Sequence, residues 1–120
     1  SLLSGQILEL NTEDTTNRVK ETLNTNNIGQ KLFGEAVLNL SQGTVSELLS
    51  KPKPWQTLSI KGREPYLRMY MWLNDKNRME KLNKWKMEKA LLKQRYNNQS
   101  NENRIKSNEI YNNNLKSSSL

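Results

Sequence analysis

The segment Leu40-Ser41-Gln42-Gly43-Thr44-Val45-Ser46 gathers side chains suited to recognition rather than to bond breaking. A glutamine amide places a donor and an acceptor side by side. Adenine offers the matching pair, N7 and its N6 amino group, in the major groove of a duplex. Gly43 has no side chain, so backbone and a base edge can approach closely there. Thr44 and Ser46 carry short hydroxyls that suit a phosphate or a base, and Ser41 is a strong helix N-cap. Gln30 stands twelve positions before Gln42 and adds a second amide. If the helices that begin at these two glutamines share one surface, Gln30 can orient Gln42 while touching a phosphate itself. Lys51 and Lys53 add two positive charges just beyond. Each residue also has a plainer reading. A glutamine after a serine cap is more often a solvated first-turn residue, and the two lysines fit an ordinary loop as readily as a phosphate clamp.

Composition removes other chemistries. The 120 residues include no cysteine and no histidine. Disulfides and thiolates are therefore excluded, and with them the commonest general base and metal ligand. The carboxylates are scattered, no nucleophile–base pair suggests itself, and neither an enzyme, a cofactor nor a metal is expected. Only 33% of residues are hydrophobic and the mean hydropathy is −0.93, too little for a core along the whole chain. No apolar run approaches the roughly 20 residues that span a bilayer. Charge is unevenly placed. Residues 1–75 hold 8 Lys/Arg and 8 Asp/Glu, whereas residues 76–120 hold 11 and 4. The whole net charge of +7 thus falls in the C-terminal part, as suits a polyanionic partner.

The elements that must position these residues read as helices. Asn11 or Thr12 caps a first helix, with Glu13 and Asp14 in its first turn and Val19 and Leu23 on one face; Asn24 to Asn27 ends it. A second runs from Gln30 to Asn39, where Leu32, Phe33, Ala36, Val37 and Leu40 recur at helical spacing, Ile28 staples the start and Gly34 permits close packing. A third follows from Ser41, buried through Val45, Leu48 and Leu49. So short a connection forces a steep crossing, a helix-turn-helix, whose second helix enters the major groove by its N-terminus. Lys51-Pro52-Lys53-Pro54-Trp55 is extended, with Trp55 folded back onto the core. A fourth helix is expected from Gly62 to Pro65 onward, with Pro65 near its first position. Its apolar face is Leu67, Met71 and Trp72, with Tyr66, Met69 or Tyr70 at the margin. Asn74 or Asp75 caps a fifth helix ending near Tyr96. There Met79, Leu82 and Trp85 face the core and Lys86, Lys89 and Lys93 line another face. Lys61, Arg63 and Arg68 read as solvated or locally paired, and Phe33, Trp55, Trp72 and Trp85 as core. Residues 97–120, rich in Asn and Ser, are expected to be disordered.

The stretch Asn11–Asp75 resembles the CUT domain of Cut-like, One-Cut and SATB transcription factors, with a spelling most like the repeats of Cut-like proteins. The matching words include Ile28-Gly29-Gln30-Lys31-Leu32-Phe33-Gly34-Glu35, Leu40-Ser41-Gln42-Gly43-Thr44-Val45-Ser46-Glu47-Leu48-Leu49, Lys51-Pro52-Lys53-Pro54-Trp55, Lys61-Gly62-Arg63-Glu64-Pro65 and Trp72-Leu73-Asn74-Asp75. The resemblance implies an all-α, five-helix bundle with a helix-turn-helix, similar to POU-specific and phage-repressor domains. It also implies DNA contacts from the glutamines that start the second and third helices, which are Gln30 and Gln42. Gly43 and Ser46 fall on the same reading surface. Lys76 departs from the pattern, standing where Cut-like repeats often have proline. The expected organisation is a lead-in over residues 1–10, a CUT DNA-binding domain over 11–96 and a disordered tail over 97–120. The expected function is sequence-specific binding of double-stranded DNA by a monomeric module of a nuclear transcription factor, through Gln30, Ser41, Gln42, Gly43, Thr44, Ser46, Lys51 and Lys53, without membrane contact. A homeodomain or further CUT repeats are expected elsewhere in a full-length protein. The rival readings are a helical protein-interaction module and a binder of RNA or membrane surfaces driven by the basic tail.

Overall fold

Asn11 opens the first helix. Its Oδ1 accepts the Asp14 N–H at 2.9 Å, with Glu13 and Asp14 at the positive end of the helix dipole. The structure is a computed structural model that describes residues 9–118, with side chains described for 9–106. Most of the expected lead-in therefore lies outside the described residues. Among those described, the chain is all-helical, with five helices in order and no strand. α1 (Thr12–Thr25) buries Thr12, Thr15, Thr16, Val19 and Leu23. Burying threonines is tolerable because each hydroxyl is bonded: Thr15 Oγ1 donates to the Asn11 carbonyl, Thr16 Oγ1 to that of Glu13 and Thr12 Oγ1 to that of Lys53. α1 stops where Asn27 turns left-handed, at φ 58°, and the Ile28 N–H bonds back to the Leu23 carbonyl.

α2 (Gln30–Phe33) runs into a single π turn, Gly34–Leu38, where the spacing predicts one continuous α-helix. The turn ends at Asn39, also left-handed, and the Leu40 N–H returns to the Gly34 carbonyl at 3.0 Å. Asparagine takes the place that glycine usually fills at such an end. α3 (Gln42–Ser50) begins at once behind Ser41. Gly34 sits at the crossing. A Cβ there would lie 2.6 Å from Val45 Cγ2 and 2.7 Å from the Leu40 carbonyl oxygen. The expected close packing is therefore real: Gly34 faces the Val45 side chain of α3 and the Leu40 backbone carbonyl in the turn before it.

A short 3-10 turn, Trp55–Thr57, leads to α4 (Ile60–Leu73). This helix starts earlier than Pro65 suggests. Ser59 is its cap, accepting the Gly62 N–H at 3.0 Å, and Pro65 lies inside the helix, where the Lys61 carbonyl loses its helical donor. The buried face is also shifted: Tyr66, Met69, Trp72 and Leu73 are buried, while Met71 is 59% exposed. Asn74 ends α4 rather than capping the next helix, donating its amide to the Tyr70 carbonyl. α5 (Arg78–Ser118) starts three residues beyond the expected cap. Asp75 still organises that start. Its carboxylate takes Lys81 Nζ at 2.7 Å and the Asn77 N–H at 2.9 Å, contacts that hold its pKa below the usual carboxylate value. The helix continues to Ser118 instead of stopping near Tyr96. No proline or glycine follows Pro65, and Asn and Ser disfavour helix by only about 0.7 kcal/mol each.

The chain divides into two compact units, Ser1–Asn83 and Lys84–Leu120. The core of the first joins Val19, Leu23, Phe33, Leu38, Val45, Leu49, Trp55, Tyr66, Met69, Trp72 and Leu82, with Met79 packed against it. Phe33 meets Trp72 edge to face at 4.9 Å between ring centroids, a geometry that adds about 0.5–1.5 kcal/mol beyond the buried area. Trp85 does not join this core. It lies in the second unit, half-buried, with Lys89 Nζ 4.9 Å from its ring centroid.

The crossing at Gly34 is open to test. Alanine would gain up to about 1 kcal/mol of helix propensity, but its methyl would strike a backbone carbonyl that cannot swing away. Gly34→Ala is expected to lose about 1–3 kcal/mol net in urea denaturation followed by tryptophan fluorescence. An unchanged midpoint would mean that α2 and α3 do not need this close approach.

Candidate nucleic-acid interface

Val45 and Leu49, both essentially inaccessible, anchor α3 to the core. With that face buried, Gln42, Gly43, Thr44 and Ser46 are all exposed. Ser41 Oγ accepts the Thr44 N–H at 3.4 Å and lies 3.0 Å from Thr44 Oγ1. The cap therefore occupies two of the candidate hydroxyls. Gln42 and Ser46 stand one turn apart, where side chains of a helix are neighbours. The amides of Gln42 and Gly43 open the helix and have no carbonyl one turn back, so they point outward at its positive end.

Gln30 is the first residue of α2 as Gln42 is of α3. Its cap, Gly29, supplies no side-chain hydrogen bond, and Gln30 itself is half-buried. No hydrogen bond joins the Gln30 and Gln42 amides, so an orienting bond between them is not formed in this structure.

Lys51 and Lys53 are exposed on the extended stretch after α3. Their backbone is fixed at two points. The Lys51 N–H bonds the Glu47 carbonyl at 2.9 Å. The Lys53 residue is gripped from both sides: its carbonyl accepts from Thr12 Oγ1 at 2.7 Å, and its N–H donates to the Tyr66 hydroxyl at 3.2 Å. One open groove of about 990 Å³ is lined by Ser41, Gly43 and Thr44 together with Lys51 and Lys53, and by the apolar Leu40, Leu48 and Leu58. Gln30, Gln42 and Ser46 are not in its lining.

Two basic side chains read as solvated or locally paired prove to be paired. Arg63 stacks 4.6 Å from the Trp55 ring centroid and donates Nε to the Trp55 carbonyl. Arg68 donates to the Leu38 carbonyl at 3.0 Å and to Glu64 at 2.7 Å. Thr12 and Tyr66 are the residues that sequence reasoning missed, because they act on Lys53 across 41 and 13 positions, which no local pattern records. In the second unit Lys86 and Lys93 are exposed beside the stacked Lys89. Among the described residues no group of three or more carboxylates gathers as a metal site would require.

The family model described as "CUT domain" matches residues 7–86. Homeobox protein cut of Drosophila melanogaster is 64% identical over 81 residues, covering 68% of this chain and 4% of that protein. Homeobox protein cut-like 2 of Homo sapiens is 59% identical over 90 residues, covering 73% and 6%. One cut domain family member 2 of Homo sapiens is 44% identical over 72 residues, covering 60% and 14%. The chain thus spans a small part of these relatives' length. That match embraces α1 to α4, the helix-turn-helix and the lysine loop without a break, and the chain belongs to the CUT domain family.

Proposed function

We propose that this chain is a sequence-specific module for double-stranded DNA in a nuclear transcription factor, and that α3 reads the major groove through Gln42. Gln30, Ser41, Gly43, Thr44, Ser46, Lys51 and Lys53 form the surrounding contact surface. The relatives bear homeobox names, which supports a homeodomain or further CUT repeats elsewhere on the same full-length chain. Such neighbours raise affinity by effective concentration while this module acts as a monomer. Among the described residues no helix is long and apolar enough to cross a membrane.

One observation carries the reading. Glycine in a helix is less favourable than alanine by about 0.5–1 kcal/mol. At Gly34 the fold explains the choice. At Gly43 it does not, because an added Cβ would meet nothing within 4 Å. The bare backbone at the first exposed turn of α3 leaves room for a partner that comes close, as a base edge or phosphate does when a recognition helix enters the major groove.

Three measurements test this. Gln42→Ala and Gln30→Ala, titrated against duplexes at fixed salt, are expected to lose about 5- to 150-fold of preference for adenine-containing sites over scrambled ones, the range of one bidentate contact. Variants that keep full discrimination would sink the proposal. Gly43→Ala should separate two quantities, with folding stability unchanged or raised and DNA affinity lowered; affinity equal to that of the parent removes the argument from glycine. Neutralising Lys86, Lys89 and Lys93 together should instead weaken all duplexes alike and flatten the salt dependence by up to about 0.9 for each phosphate no longer neutralised. Weakening confined to one sequence would contradict that role.

A further inference from the structure

We infer that Thr12 and Tyr66 are positioning residues for DNA binding: by holding the Lys53 backbone from opposite sides, they set where the Lys51 and Lys53 ammonium groups meet the phosphate chain. The inference rests on the DNA-binding reading above.

Pro52 and Pro54 have no N–H, so Lys53 supplies the one backbone donor between Lys51 and Trp55. A stretch like this, outside any helix, ordinarily has its polar backbone in water. Here the donor goes to the Tyr66 hydroxyl and the carbonyl of the same residue receives the Thr12 hydroxyl. Both partners are buried, Tyr66 at 1% and Thr12 at 5% exposure, and both come from helices locked into the core. Two prolines limit the backbone angles around this point, so fixing one residue fixes the loop.

Two consequences follow. The Lys53 backbone has nothing left to offer a phosphate, so its contribution passes through the ammonium group alone. The loop is also ordered before DNA arrives, which spares binding the entropy of ordering it. Since Lys51 and Lys53 line the same groove as Ser41, Gly43 and Thr44, the pair of buried hydroxyls keeps the charged loop in register with the reading helix.

The test uses the full chain and a duplex selected by it from random sequences. Tyr66→Phe and Thr12→Val each remove one hydroxyl while keeping most of the side-chain shape. Each is expected to weaken binding about 3- to 10-fold, the same factor on selected and scrambled duplexes, with a shallower salt slope and unchanged preference for the selected site. Tyr66→Phe added to the Lys51→Ala/Lys53→Ala variant should cost nothing more, because the lysines it positions are already gone. Thr12→Ser should restore parent affinity. Additive losses in that combined variant, or parent affinity in both single variants, overturn the inference while leaving Gln42 readout intact. If Tyr66→Phe does not fold by circular dichroism, the contrast between Thr12→Val and Thr12→Ser decides. A parent chain that selects no sequence overturns the DNA reading and this inference together.

Discussion

The approach of α3 to Gly34 is the constraint on which the rest of the molecule depends. With Val45 Cγ2 and the Leu40 carbonyl where a Cβ would stand, only glycine lets the two helices cross so closely. That crossing delivers Val45 and Leu49 to the core alongside Phe33, and Phe33 meets Trp72 of α4 edge to face. It also leaves room for only three residues, Asn39 to Ser41, between Leu38 and Gln42. So tight a reversal needs a left-handed residue, which Asn39 supplies at φ 55°. The first turn of α3 stays exposed while Val45 and Leu49 face the shared core, against α1 as well as α2.

α4 acts as the frame for both halves of the candidate surface. Arg68 caps the end of the π turn through the Leu38 carbonyl, Arg63 stacks on Trp55 while bonding its carbonyl, and Tyr66 between them holds Lys53. These three lie within two turns of one helix. The exposed Arg68–Glu64 pair is worth little as an ion pair. The hydrogen bond to Leu38 matters more, since it satisfies a helix-end carbonyl that would otherwise need water. Arg63 and Arg68 thus bond the fold's own carbonyls, whereas Lys51 and Lys53 present their charge to solvent beside the groove.

Much of this was legible in the sequence where the determinant is local. Asn11 and Ser41 cap the helices they precede, Asn27 and Asn39 end theirs, and Gly34 marks the close crossing. The misplaced helix starts have one origin, a strong signal standing near a weaker true one. Pro65 drew the start of α4 away from Ser59, and Asn74 and Asp75 drew the start of α5 forward. Met71 reads as core at helical spacing from Leu67, yet starting the helix at Ile60 and burying Tyr66 and Met69 turn it outward. The end of α5 was not legible because nothing in the tract past Tyr96 actively stops a helix. Of the candidate site, α3 and its exposed first turn followed from pattern. The grip on Lys53 did not, because it joins α1, the proline loop and α4, and only the tertiary fold brings those together.

The two compact units differ in charge. Residues 1–83 carry 11 Lys/Arg and 9 Asp/Glu, residues 84–120 carry 8 and 3. Attraction to phosphates scales with the number of cations engaged and is blind to sequence. On the proposed reading, the nearly neutral unit offers wrong sites little beyond its Lys51 and Lys53 contacts, and its preference for the right one comes from amides, hydroxyls and close approach. The basic excess of the other unit, on the same reading, adds attraction that right and wrong sites share, so it raises affinity without adding to the discrimination made by Gln42. Discrimination, on the proposed reading, depends on how rigidly α3 is presented, which traces back to Gly34 beneath it. Sequence-independent affinity depends instead on how the lysine loop is held, which traces back to the two buried hydroxyls behind Lys53.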